Sequence, residues 1–187
     1  MIVADTFKPI SAGLEAAGIQ YMLVGSFASG HWGEYRSTND IDIVITGTPE
    51  QIRDFIDRLP ADLYYRDLES AIEACKRRDM FNVLDMRTGI KIDLIFLKSG
   101  EFHREAFRRR RLEVVDGAPL FISSPEDVII AKLEWARMGH SLRQIDDVSG
   151  LLRKLWGSLD HSYLQKWVTL LGLTGQWEAA MENSRLE

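Results

Sequence analysis

The segment Asp40-Ile41-Asp42-Ile43-Val44-Ile45 limits what this chain can fold into more than any other six residues. Branched residues favour an extended strand, whose side chains point alternately to its two faces. Ile41, Ile43 and Ile45 therefore share one face, and Asp40 and Asp42 share the other. The isoleucine face needs a core to pack on. The aspartate face cannot be packed in the same way, because two carboxylates on adjacent same-face positions repel each other and are costly beside a core unless a cation neutralises them. The chain must therefore contain a sheet that is apolar on one face and carries a compensated acidic cluster on the other.

Three more runs have strand character: residues 21–24 (Tyr-Met-Leu-Val), 81–84 (Phe-Asn-Val-Leu) and 91–97 (Lys-Ile-Asp-Leu-Ile-Phe-Leu), each bounded by Gly, Asp or Ser. Arg87-Thr88-Gly89 reads as a hairpin turn, which makes the runs on either side antiparallel neighbours. From Ser123 the period changes. Ser124 is a good N-cap, Pro125 suits the first helical position, and Glu126 and Asp127 suit the first turn. Val128, Ala131, Leu133 and Trp135 continue at helical spacing until Gly139. Residues 142–156, 162–171 and 177–181 follow as helices, with Gly157, Gly172 and Gly175 as breaks. The expected architecture is an α/β (α+β) fold: a mixed sheet flanked by helices over residues 1–122, and a helical C-terminal region over 123–187. That region is expected to pack on the core, since about 65 residues of short helices are marginal alone.

Composition narrows the function. With 187 residues there is room for one core domain and a small appendage. The 28 acidic against 23 basic residues, net −5, argue against a duplex-DNA binder, whose affinity comes mainly from cations on phosphates. Cys75, the only cysteine, excludes an internal disulfide and a multi-cysteine metal site, and is expected as a small buried apolar residue. Residues 1–8 contain Asp5 and lack the pattern of a secretory signal, and no run approaches the ~20 apolar residues that span a bilayer. A cytoplasmic protein without a membrane partner is expected.

The chemistry concentrates in two places. In Val24-Gly25-Ser26-Phe27-Ala28-Ser29-Gly30 a strand ends, Gly25 permits close backbone approach, and Ser26 stands where a short helix would begin. Free N–H groups at a helix start, beside a hydroxyl, suit phosphate oxygens, although such a turn alone is more often a plain connection. Asp40 and Asp42 supply oxygen ligands of the kind that suit Mg²⁺, an ion usually shared between carboxylates and substrate phosphates. A third acid, Asp93, sits mid-strand in an apolar run, against β-propensity. Taken alone it reads as a structural acid paired with Lys91 or an arginine; beside Asp40 and Asp42 it reads as functional.

Gly25-Ser26, thirteen intervening residues, Asp40-Ile41-Asp42 in an apolar strand, and Asp93 in a later strand together resemble the polymerase-beta-type nucleotidyltransferase superfamily. The stretch 21–45, with Arg36 and Thr38 ahead of the paired acids, is most similar to small stand-alone prokaryotic members, including abortive-infection and toxin–antitoxin nucleotidyltransferases. Ser124-Pro125-Glu126-Asp127 leading to Lys132, then Arg143 and Asp146-Asp147, is similar to the C-terminal half of that group. The resemblance implies transfer of a nucleoside monophosphate from an NTP to a hydroxyl acceptor: a protein, a tRNA or a small molecule. It implies that Asp40, Asp42 and Asp93 hold two Mg²⁺ ions, with Mn²⁺ as an alternative, and that Asp93 helps deprotonate the acceptor. Gly25 and Ser26 would hold the triphosphate, with Arg36, Thr38 and Lys132 as further nucleotide contacts. A cognate antitoxin or partner protein is also implied. The competing reading is a catalytically silent nucleotide-binding or partner-binding module of the same fold.

Other features are assigned bland roles. Arg108-Arg109-Arg110-Arg111 is expected to lead into a solvent-facing hairpin turning at Asp116-Gly117, rather than to bind a phosphate-rich acceptor. His31, His103, His140 and His161 lack metal-ligand spacing, and Trp135, Trp156, Trp167 and Trp177 are expected to pack. Asp146-Asp147 either complete a cleft with Lys132 or face solvent.

Overall fold

The computed structural model describes residues 2–33, 40–115, 117–139 and 141–184, with side chains from Thr6 onward. The chain forms two compact units, Met1–Phe27 with Ser37–Ser123, and Ala28–Arg36 with Ser124–Glu187. The first is built on a seven-stranded mixed sheet. Its strands are β1 (Tyr21–Leu23), β2 (Asp40–Ile45), β3 (Tyr64–Tyr65), β4 (Met80–Asp85), β5 (Ile90–Phe96), β6 (Arg111–Val115) and β7 (Ala118–Ile122), in the order β3-β4-β5-β2-β1-β7-β6. Helices α1 (Ile2–Ala16), α3 (Pro49–Arg58), α4 (Leu68–Arg77) and α5 (Glu101–Arg108) belong to the same unit, while α2 (Gly25–Trp32) starts in it and ends in the other.

The acidic strand β2 is the middle strand of the sheet. It runs parallel to β5 over its full length, from Asp40 opposite Lys91 to Ile45 opposite Phe96, and antiparallel to β1. Ile41, Ile43, Ile45, Ile92, Leu94 and Phe96 therefore share one face, and all are buried. Each fully buried side chain of this size stabilises by about 2 kcal/mol, which fixes the register despite the aspartates on the opposite face. The mixed α/β architecture expected from the sequence is the one found. The Arg87-Thr88-Gly89 turn joins antiparallel β4 and β5. The arginine run leads into the β6–β7 hairpin, where Leu112 and Val114 on edge strand β6 are exposed. Arg110 departs from the solvated expectation by stacking between the rings of Phe107 and Phe121.

One buried polar network ties helix, strand and hairpin together. Asp85 is fully buried and accepts from Thr6 Oγ1 at 3.0 Å, from the Arg87 backbone N–H at 2.9 Å, and from Arg87 Nε and Nη2 at 3.0 and 2.8 Å. Burial pushes this carboxyl up, but the hydrogen bonds from Arg87 and Thr6 outweigh it and hold the group below the ordinary aspartate range.

The second unit contains α6 (Pro125–Gly139), α7 (Leu142–Leu155), a 3₁₀ turn at Trp156–Ser158, α8 (His161–Leu170) and α9 (Thr174–Ser184). Ser124 caps α6 as expected, its hydroxyl accepting from the Asp127 N–H at 3.2 Å and donating to Asp127 Oδ2 at 2.6 Å. Glu126 and Asp127 do more than complement the helix dipole. Both are buried: Glu126 accepts from the Asp160 N–H at 3.1 Å and Asp127 from the Tyr163 hydroxyl at 2.5 Å, tying α8 to the start of α6. Two expectations are corrected. Trp135 is exposed, because the buried face of α6 runs through Val128, Ile129, Ile130, Leu133 and Ala136. Gly175 lies within the first turn of α9 and breaks nothing, since that helix begins at Thr174. No helix among the described residues is long and apolar enough to cross a membrane.

Asp85→Ala should destabilise the protein by about 2 kcal/mol, below the usual cost of breaking a buried ion pair because Arg87 is partly exposed and can be rehydrated. The folded Asp85 carboxyl releases its proton more readily than the unfolded one. Its contribution is therefore complete above the unfolded pKa of about 4 and is lost as pH falls through the folded value. In urea melts across pH, Asp85→Asn should flatten the acid limb of the stability curve; a limb as steep as that of the parent protein would refute the assignment.

Candidate active site

The pairing of β2 with β5 places Asp40 and Asp42 on one face with Lys91 and Asp93, Asp42 lying directly opposite Asp93. The three acids differ in environment: Asp40 is exposed, Asp42 is half-buried, and Asp93 is only 6% exposed. Asp93 Oδ2 accepts from Lys91 Nζ at 2.8 Å, and the same ammonium lies 3.7 Å from Asp40 Oδ1. The hydrogen bond to Asp93, with the charge of Asp40 added, holds the Lys91 ammonium above its ordinary range. Asp93 Oδ1 is buried with no hydrogen-bond partner among the described residues. A carboxylate oxygen left in that state is costly unless something outside the chain completes it.

The β1–α2 turn closes on the same acids. The Val24 N–H donates to the Asp42 carbonyl at 2.9 Å, and α2 starts at the next residue. Gly25 has φ of +65° and abuts the Asp42 carboxylate: a methyl group built on it would come within 2.8 Å of Asp42 Cγ and overlap an Asp42 carboxylate oxygen. Glycine is required here twice, for its left-handed backbone and for the room it leaves Asp42. Ser26, half-buried at the second position of α2, accompanies the free N–H groups of the first turn. Gly25, Ser26, Asp40, Asp42 and Asp93 thus belong to one unit and one end of the sheet.

The donor set fits a divalent ion: hard carboxylate oxygens on one face, one of them buried and unpaired among the described residues, beside a turn whose glycine leaves space. Among the described residues no three His, Cys, Asp or Glu side chains are already drawn together as a metal cluster. Lys91 pairs with Asp93 and lies near Asp40, so the structural pairing and the acidic cluster coexist.

The remaining expected contacts fall elsewhere. Arg36 and Thr38 lie outside the described residues. Lys132 belongs to the second unit, where it is buried and donates to Asp147 Oδ2 at 2.7 Å and to Gln144 Oε1 at 3.2 Å. Asp147 is thereby committed to Lys132, while Asp146 accepts from Asn183 at 3.5 Å. Sequence reasoning did not assign a site role to Lys91, or notice Asn82, which faces Asp93 across β4 and β5. The signal for Lys91 was available: its two-residue spacing from Asp93 puts both side chains on one strand face.

No family model and no curated protein matches this chain. Its fold is shared with two solved structures of the antibiotic-resistance factor ANT(2'')-Ia. The solution structure has a TM-score of 0.56 and 14% identity, covering 94% of this chain and 92% of that one. The crystal structure in complex with adenylyl-2''-tobramycin has a TM-score of 0.56 and 13% identity, covering 95% and 99%. An antigenic nucleotidyltransferase-like protein from Paracoccidioides brasiliensis overlaps less closely, with a TM-score of 0.46 and 15% identity over 91% and 90% of the two chains. The seven-stranded mixed sheet with its flanking helices is the fold in common.

Gly25→Ala should cost about 2 kcal/mol or more, since a left-handed backbone alone costs a non-glycine residue about 1–2 kcal/mol and the overlap with Asp42 adds to it. Gly89→Ala is the control, because φ there is +71° with open space around the site, leaving the backbone term only. Equal losses in thermal melts would show that Gly25 and Asp42 are not in close approach.

Proposed function

We propose that this protein is a divalent-metal-dependent nucleotidyltransferase that moves a nucleoside monophosphate from an NTP to a hydroxyl acceptor. The observation that carries the reading is the pairing of Asp42, which abuts the Gly25 turn, with Asp93 on one sheet face, Asp93 Oδ1 being buried and without a hydrogen-bond partner among the described residues. Asp40, Asp42 and Asp93 would hold the ions, Mg²⁺ or Mn²⁺. Such ions, when bound, offset charge on the triphosphate and on the departing pyrophosphate.

The chain's own groups supply the rest. The Gly25 backbone, the Ser26 hydroxyl and the first-turn N–H groups of α2 offer donors for the triphosphate, and lining up donor and acceptor is most of what this chemistry asks of a protein. The acceptor oxygen bonds to the α-phosphorus as the bond from that phosphorus to its bridging oxygen breaks, and pyrophosphate leaves. The hydroxyl proton passes to Asp93, whose Oδ1 has no competing partner among the described residues. The acceptor classes are those the sequence resemblance implies: a protein side chain, a tRNA end or a small molecule. The adenylylated tobramycin bound by ANT(2'')-Ia makes an aminoglycoside hydroxyl the first small molecule to assay.

A specific observation favours a second reading. Lys91 already neutralises Asp93, so a silent module could keep these acids as a structural salt-bridge cluster. Transfer of label from each α-labelled NTP to an aminoglycoside, to tRNA and to cell-extract protein, with and without EDTA, separates the two. Metal-dependent transfer is expected, with Asp42→Asn and Asp93→Asn each lowering it at least a hundredfold in folded protein. Undiminished transfer by either variant would sink the mechanism, and no transfer to any acceptor would favour the silent module.

A further inference from the structure

We propose that Lys91 is an internal counter-cation that competes with the divalent ion for Asp93 and Asp40, so that metal binding requires the lysine to leave. The inference rests on the reading that these acids bind metal, and adds to it a residue that sets how tightly they do so.

Three observations carry it. The Lys91 ammonium is placed between strands: 2.8 Å from Asp93 Oδ2 on its own strand and 3.7 Å from Asp40 Oδ1 on β2. The register explains this, because Asp40 lies directly opposite Lys91, and Asp93, two residues further on, shares its face. The two members of the main pair are also unequally held. The Asp93 carboxylate is 9% exposed, whereas the Lys91 side chain is 41% exposed. Asp93 cannot readily reach water, but the flexible lysine stem can swing its ammonium into solvent at little cost. Finally, among the described residues one ammonium satisfies only half of Asp93, since Oδ1 stays buried without a hydrogen-bond partner there. A divalent ion has both the charge and the coordination number to engage what the lysine leaves over.

An ammonium and a divalent ion on the same carboxylate repel each other strongly in a half-buried site, so the two states exclude one another. Among the described residues no three-ligand cluster is drawn together, and Lys91 stands between Asp93 and Asp40. The acids are arranged around the lysine, and the ion would rearrange them on replacing it.

The test is binding of Mn²⁺ to the full chain, read by electron paramagnetic resonance, together with thermal melts. Lys91→Met keeps the length of the side chain and removes its charge. Without metal it should melt below the parent protein, because Asp93 loses its cation. It should bind Mn²⁺ about tenfold more tightly, equivalent to about 1.4 kcal/mol, and gain more in melting temperature on adding the ion. A purely structural lysine would reproduce the first effect and not the second. Mn²⁺ binding to Lys91→Met that is no tighter than to the parent overturns the competition while leaving the metal site intact. No Mn²⁺ binding by either protein, or binding unchanged by Asp93→Asn, overturns the metal site and this inference together.

Should Lys91→Met fail to fold, the parent protein with ¹⁵N-labelled lysine serves instead. Saturating Mg²⁺ should move the Lys91 ammonium resonance to that of a solvated lysine. An unmoved resonance in protein that binds Mg²⁺ overturns the competition, and absence of Mg²⁺ binding overturns both.

Discussion

The parallel pairing of β2 with β5 is the constraint on which the rest depends. Residue for residue, it sets Ile41, Ile43 and Ile45 against Ile92, Leu94 and Phe96 on one face, and Asp40 and Asp42 against Lys91 and Asp93 on the other. Because side chains alternate, a slip of one residue would turn an isoleucine row toward the acids and bury an aspartate row in the core. The buried apolar face therefore enforces the geometry of the polar one. The carboxylates have no attraction for each other that would bring them together; the core does so on their behalf. Placing this pair in the middle of the sheet, with β1 and β4 on its flanks, leaves neither strand with an open edge.

Much of this was legible in the sequence, and the reason is specific. The Asp-Ile-Asp-Ile-Val-Ile run states both its period and its conflict, and Lys91-Ile92-Asp93-Leu94-Ile95-Phe96-Leu97 repeats them, so strands and site emerged from the same residues. The β4–β5 hairpin followed from a three-residue turn, and the start of α6 from Ser124-Pro125. What could not be read were the facts that depend on which strand lies beside which. The sequence set the Lys91 pairing of Asp93 aside in favour of a functional role, and only the register shows that one ammonium lies near both Asp93 and Asp40. The bond from Thr6 to Asp85 spans 79 residues, and no local pattern announces it. Trp135 was misplaced because the stripe through Val128 and Leu133 was continued by hydrophobicity, when the buried face turns instead through Ile129, Ile130 and Ala136.

The second unit treats its charges differently. Glu126, Asp127 and Lys132 are all buried on α6, and each has a protein partner: the Asp160 N–H, the Tyr163 hydroxyl, and Asp147 with Gln144. These are satisfied groups that fix how α6, α7 and α8 pack, at the high cost in desolvation that burying ions entails. Asp93 differs from them in having, among the described residues, one oxygen paired and one without a partner. That asymmetry, more than burial or charge alone, distinguishes Asp93 from the buried charges of α6.

The lysine beside Asp93 also bears on how the chain comes to be folded at all. A carboxylate buried as deeply as Asp93 is costly to fold around unless a positive charge comes with it. Here the neutralising charge is covalently attached two residues away and arrives with the strand itself. When β5 enters the sheet, Asp93 therefore brings a counter-charge that belongs to the chain itself.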